Sequence, residues 1–277
     1  MTDVRHTPDY FRYLSSTGWR IYFYPPDKSP VFIKKLPLIP FSILKIQRPN
    51  SLPSPEWLNS LIRNHRAIIS YIEPAKNSQA SFLSKIGYRL HPRPFLPSKT
   101  LKINLQTSSQ TLIKKMRPTT RDNILSAQRR SLDYKIFDSY KLLSYPNLSY
   151  SVLTMNRSPN NTFISLIKAF KKRSYTVVVY NYNQPIAFTT YLTSDDVVEQ
   201  FASGSTKHGR KQKGPTLCTW YGITEARKKG YKVFDFGGIY NPRFPIKSWR
   251  GFTQFKMGFG GKEVTYPGLF YKWHWPH

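Results

Sequence analysis

The feature that most restricts the fold of this chain is that the sequence passes twice through one order of predicted elements. Each half begins with a helix, continues through three β-rich runs, and adds a helix, a strand and a last helix. In this order Ala67 to Glu73 corresponds to Lys232 to Gly238, and Phe82 to Tyr88 corresponds to Phe255 to Gly261. We therefore expect a structural duplication with two similar domains.

The predicted elements follow from hydrophobic periodicity and from proline and glycine punctuation. The predicted strands are Trp19 to Tyr24, Val31 to Lys35, Phe41 to Gln47, Ala67 to Glu73, Leu101 to Leu105, Tyr175 to Asn181, Pro185 to Leu192, Val197 to Ala202, Lys232 to Phe236 and one from Glu263. The predicted helices are Thr7 to Leu14, Ser54 to His65, Ala80 to Ile86, one or two within Ser108 to Arg130 broken at Pro118, Asn161 to Lys172, Pro215 to Lys229 and a short one around Phe255.

The predicted fold class is α/β (α+β), with two tandem acyltransferase domains of the GNAT type. Each is expected to be a mixed, mostly antiparallel sheet flanked by helices, and such a sheet splays open to admit a ligand. We expect residues 1–145 to form the N-terminal domain and residues 146–277 the C-terminal domain. Packing of the last strand back on the first domain is one option. A layout of this kind can hold an acyl-transfer site.

The charge balance indicates a polyanionic partner. The chain has 43 Lys and Arg against 14 Asp and Glu, a formal net charge of +29, which attracts RNA, nucleotide diphosphates or an anionic membrane face. The alternative is a solvated basic face without a specific partner. The hydropathy is too interrupted for a membrane span and the N-terminus lacks the apolar region of a signal peptide, so a cytoplasmic protein is expected.

Neither a disulfide nor a metal centre is expected. Cys218 is the only cysteine, and the six histidines show no ligand spacing with carboxylates. The sequence implies no cofactor.

Two basic segments are candidate phosphate-binding sites. Arg117 and Arg121 belong to the basic helical region, where an arginine fork matches phosphate oxygens, although a solvated helix explains the pattern equally well. The other candidates, from the segment before the helix at Thr216, are Lys207, Arg210, Lys211 and Lys213. Enzymes of this fold that use acyl-coenzyme A grip its pyrophosphate with a glycine-rich loop at this point. Here only Gly214 fits, and Pro215 has no amide hydrogen to donate.

Lys256 is the candidate catalytic cation. It lies between Phe255 and Met257 in a run that we expect to be partly buried. One interpretation is a lysine that extends to the surface. The other is a fixed cation that stabilises the oxyanion of an acyl-transfer intermediate.

An ordered set of motifs along nearly the whole chain resembles the Fem family of peptidoglycan bridge-forming aminoacyltransferases, in particular its short FemX type without the helical-hairpin arm of longer members. The motifs are Gly18-Trp19, Pro97-Ser98-Lys99-Thr100, Arg121-Asp122-Asn123-Ile124 with Ala127, Ala202-Ser203-Gly204-Ser205, Asp235-Phe236-Gly237-Gly238 and Gly251-Phe252-Thr253-Gln254-Phe255-Lys256-Met257-Gly258-Phe259.

The resemblance implies transfer of an amino acid from aminoacyl-tRNA to an amine on the stem peptide of a peptidoglycan precursor, UDP-linked or lipid-linked. It places the catalytic lysine on Lys256 and its neighbouring phenylalanine on Phe255. The substrate-binding positions of the family fall on Arg12, Glu73, Phe201 and Arg157. It also implies a role in cell-wall biogenesis and cell shape, a monomer, and peripheral contact with the inner membrane face.

Two other functions stay open on the sequence alone. One is an N-acyltransferase of the same fold that uses acyl-coenzyme A. The other is a noncatalytic RNA-binding module, which the charge by itself favours. Asp235 is interpreted as ordering the end of its strand in all three cases.

Overall fold

The computed structural model describes residues 3–130, 132–156 and 160–275. Within them, thirteen strands run in chain order: β1 Trp19–Phe23, β2 Pro30–Lys35, β3 Ser42–Gln47, β4 Ala67–Glu73, β5 Arg89–His91, β6 Lys99–Asn104, β7 Asp133–Asp138, β8 Ser174–Asn181, β9 Gln184–Thr193, β10 Val197–Ser205, β11 Val233–Asp235, β12 Lys262–Thr265 and β13 Leu269–Trp273.

The same residues form eleven α-helices and two 3₁₀ turns. The α-helices are α1 Pro8–Ser16, α2 Pro55–Asn64, α3 Asn77–Lys85, α4 Ser109–Lys115, α5 Pro118–Gln128, α6 Ser139–Leu142, α7 Pro146–Met155, α8 Asn160–Phe170, α9 Lys207–Lys211, α10 Gly214–Lys228 and α11 Trp249–Met257; the 3₁₀ turns are Val4–His6 and Lys171–Arg173.

The strands belong to two sheets, and the chain divides into two compact units around them. The six-stranded unit comprises Phe11–Lys99, Tyr240–Lys247 and the segment from Val264 onward. The seven-stranded unit comprises the residues up to Tyr10, Thr100–Ile239 and Ser248–Glu263.

The division expected at residues 145 and 146 is therefore corrected. Strands β6 and β7 precede that boundary, yet both belong to the seven-stranded sheet, because β6 pairs with β11 and β7 pairs with β8. Conversely, β13 pairs with β4 in the six-stranded sheet, whereas the last predicted strand, from Glu263, corresponds to β12 and lies beside β6 in the seven-stranded sheet.

The six-stranded sheet has the order β1-β2-β3-β4-β13-β5. An antiparallel meander leads to the parallel pair β3–β4, and β13 then runs antiparallel to β4. Helix α2 begins at the cap Ser54, whose hydroxyl accepts a bond from the Trp57 amide, and it buries Leu58 and Ile62 against the sheet. These apolar side chains form the core of this unit.

The seven-stranded sheet has the order β12-β6-β11-β10-β9-β8-β7. Its meander β8–β9–β10 leads to the parallel pair β10–β11, so each sheet contains the same succession of antiparallel and parallel pairs. This agreement supports the predicted duplication. The fully buried residues of α10 face the sheet, and Gly222 allows the ring of Tyr191 to approach the helix backbone.

Most predicted elements are confirmed within one to three residues at their ends, including the break at Pro118, which begins α5. Four features were not predicted. Residues 89–91 form β5, residues 133–155 form β7, α6 and α7, β13 follows the last predicted strand, and the segment after Thr206 forms the short helix α9 instead of a loop.

Candidate functional site

The parallel strands β10 and β11 separate at the carboxyl end of β11, while β10 continues beside β9 to Ser205. Their register ends at the pair Glu199 and Asp235. Beyond this pair the Phe236 amide donates to the Leu101 carbonyl of β6, while the register of β10 shifts between Gln200 and Ala202. Carboxyl ends of parallel strands that diverge are preferred positions for ligand sites in α/β folds. We therefore take this opening as the candidate active site.

Two residues shape the opening. Phe201 lies at the register shift and stacks on Phe163, with ring centroids 6.2 Å apart. Gly237 has a φ of 74°, and a Cβ atom there would lie 2.8 Å from the Gln200 carbonyl oxygen. Any larger residue at this position would push the two strands apart, which explains the glycine at position 237.

The ammonium group of Lys256 lies at the end of β11. Helix α11 directs this side chain so that Nζ donates to the carbonyl oxygens of Phe236, at 2.6 Å, and Gly238, at 2.7 Å. Nζ also lies 4.8 Å from the centre of the Phe252 ring. A lysine ammonium has three N–H donors, and two are used in this way. The third can serve a substrate oxygen.

Burial shifts the pKa of Lys256. Desolvation of the ammonium lowers the pKa to about 8, against the opposing influence of Asp235 and Glu199, which favour the charged form. The side chain is a fixed, partly desolvated cation, not a surface lysine that extends into water. Of the two interpretations of its sequence, the geometry favours the catalytic one.

A buried charge network lies next to this lysine. Asp235 accepts bonds from the Thr100 hydroxyl and the Gly237 amide, and its carboxylate lies 3.4 Å from Lys102 Nζ. Burial, followed by the nearby charge of Glu199, raises the pKa of Asp235, and Lys102 opposes that shift. These bonds fit the interpretation that Asp235 orders the end of its strand.

Arg5 neutralises the second carboxylate of the network. Its guanidinium donates to both carboxylate oxygens of Glu199, at 2.9 and 2.6 Å, and a further bond goes to Asp3. Burial works against its charge, but the two carboxylates outweigh this and raise the pKa of Arg5. Sequence reasoning missed Arg5 and Glu199, because residues 194 positions apart give no local signal of pairing.

Gln200 lies on the same strand edge. Its side-chain oxygen is buried and has no hydrogen-bond partner among the described residues. A buried acceptor without a partner is costly, and such groups concentrate at functional sites. The sequence gave no sign of it, because a glutamine within a strand usually faces solvent.

Three further residues of this unit were predicted to belong to the site. Phe255 lies on the same helix as Lys256 and packs edge-to-face on Phe259, with ring centroids 5.4 Å apart, so it anchors α11 to the core. Phe201 borders the opening as described. Arg157 lies outside the described residues.

The basic residues predicted to bind phosphate lie at the start of α5 and on it, on α9, and in the turn that follows α9. Three hydrogen bonds relate these segments to each other and to α11. The Arg130 guanidinium, after the end of α5, donates to the Lys211 carbonyl and to the Gln212 side chain. At the other end of α5, Arg117 donates to Gln254 of α11. We call this surface the basic ridge; its residues are Arg117, Arg121, Arg129, Arg130, Lys207, Arg210, Lys211 and Lys213.

The segment from Lys207 to Pro215 offers few amides for a pyrophosphate. The amides of Gly209 and Arg210 donate to Thr206, and those of Gln212 and Lys213 donate within α9. A Cβ atom on Gly209 would lie 2.0 Å from the Ile186 carbonyl oxygen, so that glycine serves packing against β9. The geometry here supports phosphate contact through side chains rather than through a glycine-rich loop.

In the six-stranded unit, Arg12 is exposed on α1 and Glu73 is buried at the end of β4. The Glu73 carboxylate accepts from the Leu96 amide at 2.7 Å and from Gln47 at 3.2 Å. Lys45 on β3 was missed: it lies 4.1 Å from the Trp19 ring centre, and burial lowers its pKa to about 8. In the sequence, the available signal is that Lys45 interrupts the apolar residues of a strand.

No cluster of three metal-binding side chains occurs in the described part of the chain. In that same part, no helix combines the length and hydrophobicity needed to cross a membrane.

Solved structures define the class of fold. A crystal structure of FemX is similar, with a TM-score of 0.78 and 14% identity over 98% of this chain and 92% of that one. The C-terminal domain of a putative lysylphosphatidylglycerol synthetase from Agrobacterium fabrum has a TM-score of 0.61, with 12% identity over 96% and 87%. A tandem GNAT protein from the clavulanic acid biosynthesis pathway has 0.54, with 11% identity over 99% and 95%. The chain has this tandem acyltransferase fold.

A family model matches the second part of the chain. Residues 154–276, which include β10, β11 and α11, match the model of the FemAB family. The predicted resemblance to the Fem family is thereby confirmed over this part of the chain. No curated protein matches the chain.

Proposed function

We propose that this protein transfers an amino acid from aminoacyl-tRNA to an amine of a peptidoglycan precursor stem peptide. The observation that carries the proposal is the ammonium of Lys256, fixed by two carbonyls where β10 and β11 diverge, with one N–H left for a substrate. The match to the FemAB family over the segment that contains this lysine supports the same activity.

In the proposed reaction the acceptor amine attacks the ester carbonyl carbon of the charged tRNA. A C–N bond forms and the carbonyl oxygen becomes an oxyanion, which the free N–H of Lys256 stabilises. Collapse of the intermediate breaks the C–O bond to the ribose. The amine proton passes to the leaving ribose oxygen, with the neighbouring ribose hydroxyl as relay.

The basic ridge is the proposed surface for the tRNA backbone. Helix α5 has eleven residues, which span about 16 Å. Because Arg117 at its start contacts α11 and Arg130 after its end contacts the turn after α9, the ridge leads along α5 to the helix of Lys256. A strand whose phosphates follow this ridge would bring its aminoacyl end toward the ammonium.

The acceptor is the precursor, and Arg12, Glu73 and Phe201 are proposed to contact it, as the family resemblance implies. A UDP-linked or lipid-linked acceptor suits the positive charge of the chain, and a lipid-linked one would need only peripheral contact with the membrane. An acyl-coenzyme A donor has less support, because the amides at α9 are already used.

Substitution of Lys256 tests the proposal. Lys256→Met removes the N–H donors, and we expect transfer of labelled amino acid from tRNA to precursor to fall about 10²- to 10³-fold in kcat. Lys85→Met is the matched control, since Lys85 is an exposed lysine at the end of α3, the helix that corresponds to α11 in the other unit. Full transfer by Lys256→Met would refute the role of this lysine.

A further inference from the structure

Lys256 is influenced by two carboxylates and yet hydrogen-bonds to neither of them. Asp235 and Glu199 both favour its charged form. Among the described residues, however, its ammonium donates only to the carbonyl oxygens of Phe236 and Gly238. Opposite charges attract strongly where little water screens them. Whatever holds the two carboxylates away from Lys256 therefore decides whether its third N–H can serve a substrate.

Asp235 is held by the neighbouring strand. The Thr100 hydroxyl donates to its carboxylate, and Lys102 Nζ lies 3.4 Å from it. Both residues belong to β6, which pairs with β11 on the side opposite to β10. The amide of Gly237 supplies a further bond. The first carboxylate is thus fixed by contacts within the sheet itself.

Glu199 is held by the N-terminal turn. The guanidinium of Arg5 donates to both of its carboxylate oxygens, at 2.9 and 2.6 Å. Arg5 is buried, and Asp3 fixes it in turn by accepting from both its amide and its guanidinium, at 2.9 Å each. A pair with two parallel bonds fixes the direction of a carboxylate as well as balancing its charge. The second carboxylate therefore depends on a residue 194 positions away in the sequence.

Charges from the other elements beside α11 face different partners. Lys102 of β6 is directed to Asp235, as described. Arg117, before α5, donates to Gln254, which lies two residues before Lys256 and about 200° around the helix from it. Control over the third N–H therefore lies with the contact between the N-terminal turn and β10.

We propose that Arg5 is a positioning residue of the transfer reaction: by engaging both oxygens of Glu199, it keeps this carboxylate from taking the third N–H of Lys256. The inference rests on the proposed function, in which that N–H stabilises the oxyanion. Without Arg5, Glu199 is left buried and unpaired, which is costly. The ammonium of Lys256, whose charge Glu199 already favours, is the cation to which it then turns.

The test measures single-turnover transfer against pH. Arg5→Met should lower the rate at least about tenfold, because the oxyanion loses its donor. It should also move the falling limb that Lys256 causes to a pH about one unit higher, since a paired carboxylate favours the charged ammonium. Addition of Glu199→Gln should suppress both effects, so that the double variant matches Glu199→Gln alone within about threefold. A merely structural role for Arg5 would lower the rate without moving the limb.

Two further variants control for loss of an ion pair and for misfolding. Arg173→Met is the matched control, because Arg173 also pairs with two carboxylates, Asp9 near the N-terminus and Asp195. It should keep the rate and the limb of the parent. Arg5→Lys presents one ammonium instead of a fork, so it should show the changes of Arg5→Met to a smaller degree. It carries the test if Arg5→Met does not fold.

A direct titration of Lys256 separates this inference from the proposed function. Carbon-13 NMR of protein labelled at the lysine Cε atoms follows the pKa without any transfer, and the spectrum of Lys256→Arg assigns the signal. If the parent transfers no amino acid while Arg5→Met raises the pKa of Lys256, the transfer reaction is refuted and the control of Lys256 by Arg5 stands. The inference is overturned if Arg5→Met leaves that pKa unchanged or lowers it, or if Glu199→Gln does not suppress the loss of rate.

Discussion

At the scale of single residues, the chemistry of Lys256 depends on the backbone that surrounds it. Two carbonyl oxygens hold its ammonium in one place, and the carboxylates of Asp235 and Glu199 offset part of its burial. Exposed lysines change position freely and keep their charge well above pH 8. The burial that accompanies the fixed position of Lys256 also lowers its pKa.

The lowered pKa predicts a falling limb in the pH profile of transfer. Since the folded pKa is about 8, the ammonium is charged below that pH and is lost as the pH rises through it. We therefore expect the single-turnover rate to decrease about tenfold per pH unit above about 8. The measurement is the transfer rate between pH 6 and 10, corrected at each pH for spontaneous hydrolysis of the aminoacyl ester.

Lys256→Arg is the control for this assignment. A guanidinium stays charged across the whole range, so whatever rate this variant retains should show no falling limb near pH 8. If the limb persists unchanged in the arginine variant, another group titrates and Lys256 is not responsible for the profile.

At the scale of elements, the approach of α10 to the sheet depends on one glycine. A Cβ atom at Gly222 would lie 2.2 Å from both Cζ and the hydroxyl oxygen of Tyr191, a fully buried ring whose hydroxyl donates to the Cys218 carbonyl. An added methyl group would therefore overlap a ring that is fully buried and hydrogen-bonded. We expect Gly222→Ala to lower the free energy of unfolding by about 2 kcal/mol, as overpacked cores do.

Gly251 provides the matched comparison. It lies in the first turn of α11, and a Cβ atom there would meet nothing within 4 Å. Because alanine favours helix over glycine, Gly251→Ala should leave stability unchanged or raise it by up to about 1 kcal/mol. Chemical denaturation of both variants tests the pair, and equal effects would contradict the packing described for α10.

The sequence predicted the helices and strands better than it predicted which strands pair with each other. Periodicity and caps located β4, α2 and α10 nearly to the residue, because these signals are local. Strand pairing is not local, so nothing in the sequence assigned β6 and β7 to the seven-stranded sheet, and the domain boundary was misplaced. The same limit applies to the candidate site: family motifs predicted a role for Lys256, whereas the ion pair of Arg5 with Glu199 is visible only in the fold.

At the scale of the whole molecule, the net charge of +29 raises the question of whether RNA binds through the basic ridge or through the general field of the protein. A direct contact with a phosphate releases its condensed counterions and adds to the salt slope of binding, whereas a distant charge contributes little to that slope. The two cases are therefore separable by measurement.

We expect Arg121→Gln to weaken tRNA binding and to reduce the slope of log Kd against log salt concentration by about 0.7 to 0.9, the loss of one phosphate contact. Lys172→Gln, at an exposed lysine of the Lys171–Arg173 turn outside the ridge, carries the same loss of charge and should leave the slope nearly unchanged. Filter binding of uncharged tRNA between 50 and about 300 mM salt gives both slopes. If the two variants shift the slope equally, the general field binds the RNA, and α5 does not direct it toward Lys256.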